Sequence, residues 1–193
     1  MLMTNHVQTV RFSDLPQADQ QLIEFAAEQA DHAYNPLLGR WAVGVAVRIR
    51  QTGEALFHTA LRRLGAQRMR SGTVLMVGGS NVEDPDQVAL CECGEGIALG
   101  TAHSLSVGDH CDAIAIVGKR EGEEFGYTAL TPCHRCRGRI WAYAQRSGLG
   151  ENFPILLAPQ KFHEEEGLVI VTTIGELEQK IPFSARGVDT RQL

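Results

Sequence analysis

Apolar positions recur along the chain with two periods. Leu22, Ile23, Ala26, Ala27, Ala30 and Ala33 fall at three- and four-residue steps, which predicts a helix with one apolar face reaching about Tyr34. Ser13-Asp14 followed by Pro16 predicts its start, and Asn35-Pro36 its end. Trp41 to Ile49 (WAVGVAVRI) is Val-rich and predicts a strand, with a turn at Gln51-Thr52-Gly53 and a candidate returning strand from Glu54 to Thr59. Ala60 to Gly72 is a candidate short basic helix. Thr73 to Val77 predicts a strand closed by Gly78-Gly79. Cys93 to Ser106 reads as a helix carrying Ile97, Ala98, Ala102 and Leu105 on one side. A buried strand from Ala113 to Val117 and a charged loop from Gly118 to Gly126 follow. Cys133 to Ser147 is a further helix, built on Ile140, Trp141 and Ala144. Pro154 to Leu157 and Leu168 to Thr172 are strands, and Ile174 to Ile181 is a short last helix. A helix, then strands, then strand and helix in alternation predicts an α/β fold: a three-layer α/β/α sandwich with a mixed central sheet.

The 193 residues suit one domain with one core, and no internal repeat or low-complexity linker divides them. The net charge of −5 argues against a nucleic-acid partner, and no apolar run approaches the roughly 18 residues of a membrane span. The N-terminus MLMTNHVQTVRF lacks a basic stretch followed by an apolar one, so no secretory signal is expected and a cytoplasmic location is. Arg62, Arg63, Arg68 and Arg70 form one basic stretch, either a solvated face or an anion or partner site.

The five cysteines, Cys91, Cys93, Cys111, Cys133 and Cys136, are odd in number and clustered, which favours metal binding or catalysis over a disulfide framework. Pro132-Cys133-His134-Arg135-Cys136 opens a predicted helix, where two thiolates three residues apart can chelate Zn2+ and free N–H groups favour the thiolate form. Cys93-Gly94-Glu95 opens another, offering a third thiolate and a carboxylate two residues on. Three protein ligands plus an open position mark a catalytic zinc, whereas structural zinc takes four. Cys91 keeps a four-cysteine structural site open as the alternative, although only Cys93 stands in register with Glu95. Cys111 reads as a small buried hydrophobe, and His134 as pointing away from the metal.

These motifs resemble the cytidine deaminase family. Its pattern A-Y-x-P, V-G-A, N-V-E, C-A-E and P-C-x-x-C-R is matched in order by Ala33-Tyr34-Asn35-Pro36, Val43-Gly44-Val45, Asn81-Val82-Glu83, Cys93-Gly94-Glu95 and Pro132 to Arg137. The tail from Ile174 to Phe183 resembles the family's ending, so the likeness spans about residues 20 to 185. The resemblance implies a zinc-dependent hydrolytic deaminase of cytidine, deoxycytidine or a related aminopyrimidine nucleoside, releasing ammonia. Cys93, Cys133 and Cys136 would hold Zn2+, Glu95 would act as base and then acid, and Asn81 and Glu83 would bind the sugar. The implied assembly is a homo-oligomer, a dimer or tetramer, with no nucleic-acid or membrane partner.

Three departures bear on that reading. The family's arginine after C-A-E is replaced by Gly96, which leaves Arg137 to offset the thiolate charge. An insertion of about residues 55 to 78 lies inside the single domain (1–193, core about 15–185), and is expected at the pocket rim or a subunit contact. Asp84-Pro85-Asp86 follows Glu83 where small polar residues are usual. A modified base or a blasticidin-like nucleoside antibiotic is therefore an alternative substrate. A non-catalytic, zinc-stabilised partner-binding protein is the alternative of another class.

Overall fold

A computed structural model describes residues 7–33, 42–50, 67–68, 75–82, 92–119, 131–163 and 167–180. Seven strands form its sheet: β1 (Gln8–Arg11), β2 (Ala42–Ile49), β3 (Gln67–Arg68), β4 (Leu75–Ser80), β5 (Cys111–Lys119), β6 (Pro154–Ala158) and β7 (Leu168–Thr173). The order across the sheet is β1-β7-β6-β5-β2-β4-β3, with β5 and β6 parallel and every other pair antiparallel. The helices are α1 (Gln17–Ala30), α2 (Gly94–Ser104), α3 (His134–Arg146) and α4 (Ile174–Lys180).

Strand alternation sends side chains to two faces. Ala46, Ala113, Ala115, Val117 and Leu156 pack under Leu22, Ile23, Phe25 and Ala26 of α1. Val45, Val47, Ile114, Ile116, Ile155 and Leu157 face the other way, onto α2, α3 and α4. The mixed sheet between two helical layers is the predicted three-layer α/β/α sandwich. Ile116, Ile140 and Ile155 are buried in the second layer, each contributing about 1.5–3 kcal/mol, so α3 is seated firmly on the sheet. The first layer is tied to the sheet by Arg48 of β2, which pairs with Asp19 of α1 and, at 2.7 Å, with Asp112 of β5.

Topology brings the helix starts together. Gly44 of β2 pairs with Ser80 on one side and Val117 on the other, so β4 and β5 end at the same edge of the sheet. The segments after those ends lead into α2 and α3. Across the start of α2, Val82 and Glu92 exchange both backbone hydrogen bonds, at 3.0 and 2.9 Å, holding the turn into α2 against the end of β4.

Several expectations need correction. α1 starts at Gln17 with Pro16 in the capping position, while Phe12–Asp14 forms a separate 3-10 turn; it ends at Ala30, short of Tyr34. β4 does not stop before Gly78-Gly79 but runs through both. A β-carbon at Gly79 would lie 2.6 Å from Ala98 N and 2.7 Å from Gly94 O, so these glycines serve close helix packing rather than a turn. Gln67–Arg68 is a strand paired with β4 instead of part of a basic helix, so the inserted region contributes to the sheet edge. β1, at the opposite edge, is too short and too exposed to show in the hydrophobic pattern. Tyr34 to Trp41, Glu54 to Thr59, Arg62, Arg63, Arg70, Glu83 to Cys91 and residues 120–130 lie outside the described residues, while Gly118 and Lys119, expected to open the charged loop, belong to β5. None of the described helices is long and apolar enough to cross a membrane.

Candidate active site

Cys93 and Cys133 occupy the capping positions of α2 and α3, both in extended backbone conformation. Cys136 lies in the first turn of α3 and is buried. The sulfurs of Cys93, Cys133 and Cys136 all lie within 4.8 Å of one another, with Cys93 Sγ to Cys133 Sγ at 3.8 Å. Two thiolates each about 2.3 Å from a tetrahedral Zn2+ would stand about 3.8 Å apart, so the donor set and its spacing fit that ion. Among the described residues this is the single cluster of this kind. Cys91 lies outside the described residues, and His134 is half-buried on the side of Glu178.

The three thiols are coupled through one another. Hydrogen bonds from Cys136 and Cys93 hold the Cys133 thiol far below its ordinary value, at about 2, and the N–H groups of Cys136 and Arg135 add to this. The same bond to Cys133 pushes Cys93 up to about 12 and Cys136 upward as well. Thiols packed this closely compete for their protons, and such a donor set suits a divalent cation that would ionise them.

Glu95, in the first turn of α2, is only 6% exposed. Burial pushes its carboxyl up to about 7; the charge of Cys133 adds to the rise, while its own backbone N–H and the Cys136 thiol act against it. An acid two residues beyond a thiolate, seated against another of the three, can exchange protons with a group bound at the cluster.

Asn81 follows β4, buried. Its Oδ1 accepts from Val43 N at 2.9 Å and its N–H donates to Val43 O at 3.1 Å, so it fastens the end of β4 to β2. A β-carbon at Gly94 would lie 3.4 Å from Asn81 N, which sets Asn81 beside the start of α2. Glu83 lies outside the described residues. Arg137 is wholly buried, with Nη1 3.4 Å from Glu178 Oε1 of α4. The start of α4 is set by reciprocal capping: Glu176 N donates to Thr173 Oγ1 and Thr173 N to Glu176 Oε2, both at 3.2 Å.

Motif reading missed a second set of charges around the cluster. Glu92, next to Cys93, pairs with Arg139 and, at 3.0 Å, with Arg135 of α3. Arg135 and Arg139 are four residues apart and share a helix face, a signal present in the sequence. Their partner, however, is 47 residues from Arg139, and spacing alone does not reveal it.

Neither a family model nor a curated protein sequence matches the chain. Among solved structures it is similar to the cytidine deaminase of Burkholderia pseudomallei, at 24% identity and a TM-score of 0.47, covering 81% of this chain and 93% of that one. It is also similar to the cytidine deaminase of Mycobacterium tuberculosis (22% identity, TM-score 0.44, 87% and 96% covered) and that of Mycobacterium leprae (18%, 0.42, 84% and 95%). Likenesses this distant leave the functional case to the chain's own residues.

Proposed function

We propose that the chain is a zinc-dependent hydrolytic deaminase of a cytidine-type aminopyrimidine nucleoside. One observation carries the reading: three cysteine sulfurs converge within 4.8 Å, with buried Glu95 standing two residues after one of them. Cys93, Cys133 and Cys136 would hold Zn2+, which when bound supplies Lewis-acid activation of a water molecule. Glu95 takes a proton from the attacking water and delivers it to ring N3 as the C4–O bond forms. It then passes the remaining proton to the amino group, the C4–N bond breaks and ammonia leaves. Water is consumed and one amine becomes one carbonyl, so no other reactant is needed. One carboxylate can serve both steps because it stays within reach of both atoms.

Asn81 and Glu83 are the candidates for the sugar. With its Oδ1 accepting from Val43, Asn81 would address a hydroxyl oxygen through its amide NH2. Arg137, next to Cys136 in the chain and paired with Glu178 of α4, is the candidate for offsetting the thiolate charge.

The test is ammonia release by the zinc-loaded full chain on cytidine, deoxycytidine, free cytosine and a blasticidin-like compound. Turnover of cytidine or deoxycytidine is expected. Turnover of the antibiotic alone would move the substrate to that class. Zinc bound with no ammonia from any of the four would favour a non-catalytic zinc protein.

A further inference from the structure

Glu92 joins three parts of the fold. It stands immediately before Cys93. Its backbone exchanges both hydrogen bonds with Val82, just after β4. Its side chain crosses to α3, where one carboxylate oxygen takes Arg139 and the other, at 3.0 Å, takes Arg135. Arg135, Arg139 and Tyr143 recur every four residues and so form one row on α3. Tyr143 Oη donates to Leu99 O of α2 at 3.0 Å, so the row is bonded to α2 from its start to its second turn. Gly96 lies between these links. A β-carbon there would overlap both Arg139 Nη1 and the Glu92 carboxylate, so the missing side chain is what lets this pair close over the first turn of α2. Glu92 and Arg139 are 31% and 33% exposed, so water screens their pairing less than that of a fully exposed pair.

The three sulfurs come from two segments. Cys133 and Cys136 open one helix, so their spacing is set locally. The distance of Cys93 from them depends instead on how α2 lies along α3. The Glu92 carboxylate links the residue before Cys93 to Arg135, which stands between Cys133 and Cys136, and to Arg139 one turn further on. We propose that Glu92 is a positioning residue: held by Arg135 and Arg139 across Gly96, it fixes the register of α2 against α3 and so brings Cys93 to the Cys133 and Cys136 pair. The inference rests on the metal-centre reading above and adds to it a residue outside the donor set. Its role is to set a distance between two segments of the backbone.

The test is zinc affinity of the full chain by competition with a chromophoric chelator. The visible spectrum of the cobalt(II)-loaded chain and the unfolding midpoint of the zinc-free chain are measured on the same variants. Groups that orient metal ligands typically contribute about 10- to 100-fold in affinity, and a loss in that range is expected for Glu92→Ala. Its sulfur-to-cobalt charge-transfer absorption should fall from a three-sulfur toward a two-sulfur level, because Cys133 and Cys136 stay together while Cys93 moves off. Glu92→Gln should recover part of both, since its amide oxygen still accepts from one arginine. Arg139→Gln should weaken zinc as well, and adding it to Glu92→Ala should cost little more, because the two side chains act as one link. A lower unfolding midpoint in Glu92→Ala with zinc affinity and cobalt spectrum unchanged would show a merely structural ion pair and overturn the proposal. Losses that multiply in the double variant would overturn it too. If Glu92→Ala does not fold, Gly96→Ala decides, since its methyl group parts the same pair: weakened zinc with reduced charge transfer supports the proposal, and unchanged zinc overturns it. Failure of the unaltered chain to bind zinc or cobalt through its cysteines would instead remove the metal-centre reading, and the proposal with it.

Discussion

Cys93 Sγ and Cys133 Sγ lie 3.8 Å apart although 40 residues separate them in the chain. The contact follows from the sheet. β4 and β5 flank β2 and end at one edge, so the helices that follow them start side by side. Each helix start presents a cysteine in its capping position, and α3 adds Cys136 one turn on.

That geometry predicts one zinc ion per chain on three sulfurs, at about 2.3 Å each. X-ray absorption on the loaded protein should give this coordination. Cys136→Ser should abolish tight binding, because a neutral hydroxyl replaces a thiolate ligand at a buried position. Cys91→Ser should retain zinc, since Cys91 is out of register with Glu95. Four sulfurs in the spectrum, or zinc lost with Cys91, would mark a structural site.

The site was more legible in the sequence than the strands around it. Two cysteine motifs at helix starts announce themselves, because residue type, spacing and the following apolar period agree. Gly78-Gly79 misled for a physical reason: glycine pairs usually punctuate, but here they admit Gln29 of α1 on one face and α2 on the other. β1 has only four residues, mostly exposed, and exists by pairing with β7 far along the chain. The Glu92 to Arg139 pair was illegible for the same reason, being a product of topology rather than of local pattern.

Gly44 provides a stability test. A β-carbon there would overlap Ala26 O and Ala30 N, which are backbone atoms of α1 and cannot swing aside as a side chain can. Gly44→Ala should therefore destabilise the fold at the upper end of the overpacking range, about 3 kcal/mol. Urea denaturation monitored by circular dichroism checks it. A midpoint unchanged from the unaltered chain would mean that α1 can lift from β2 without cost.

Cys111 gives a pH prediction. It is fully buried at the start of β5, and burial, with Asp112 and Asp109 adding to it, pushes its thiol from 9.0 up to about 12. The folded value lies above the unfolded one, so the neutral thiol's contribution is complete below pH 9. It is lost as pH rises toward 12, because the unfolded chain ionises first. Stability should fall over that window in the unaltered chain and fall less in Cys111→Ala. Parallel pH profiles for the two proteins would contradict the assignment. For the same reason Cys111 should resist alkylation at neutral pH until the chain unfolds.

Glu95 carries the decisive prediction. Its carboxyl is buried in the first turn of α2, two residues past Cys93 and beside Cys136. Glu95→Gln keeps the size and much of the hydrogen bonding but cannot accept and return a proton. General acid–base catalysis contributes about 10²- to 10⁴-fold, and this residue acts more than once per turnover, so at least that loss in kcat is expected. Zinc content and the unfolding midpoint should change little, because Glu95 is not among the three sulfur donors. Ring recognition partly survives in the amide, so substrate should still bind and KM should shift less than kcat. An ordinary first-turn glutamate would instead favour the helix dipole by about 0.3–1 kcal/mol, and its loss would lower stability slightly with turnover intact. Steady-state kinetics and zinc analysis on the same preparation separate these outcomes. Ammonia release by Glu95→Gln within a few-fold of the unaltered enzyme would remove the carboxylate from the mechanism and favour a zinc-stabilised protein without catalysis.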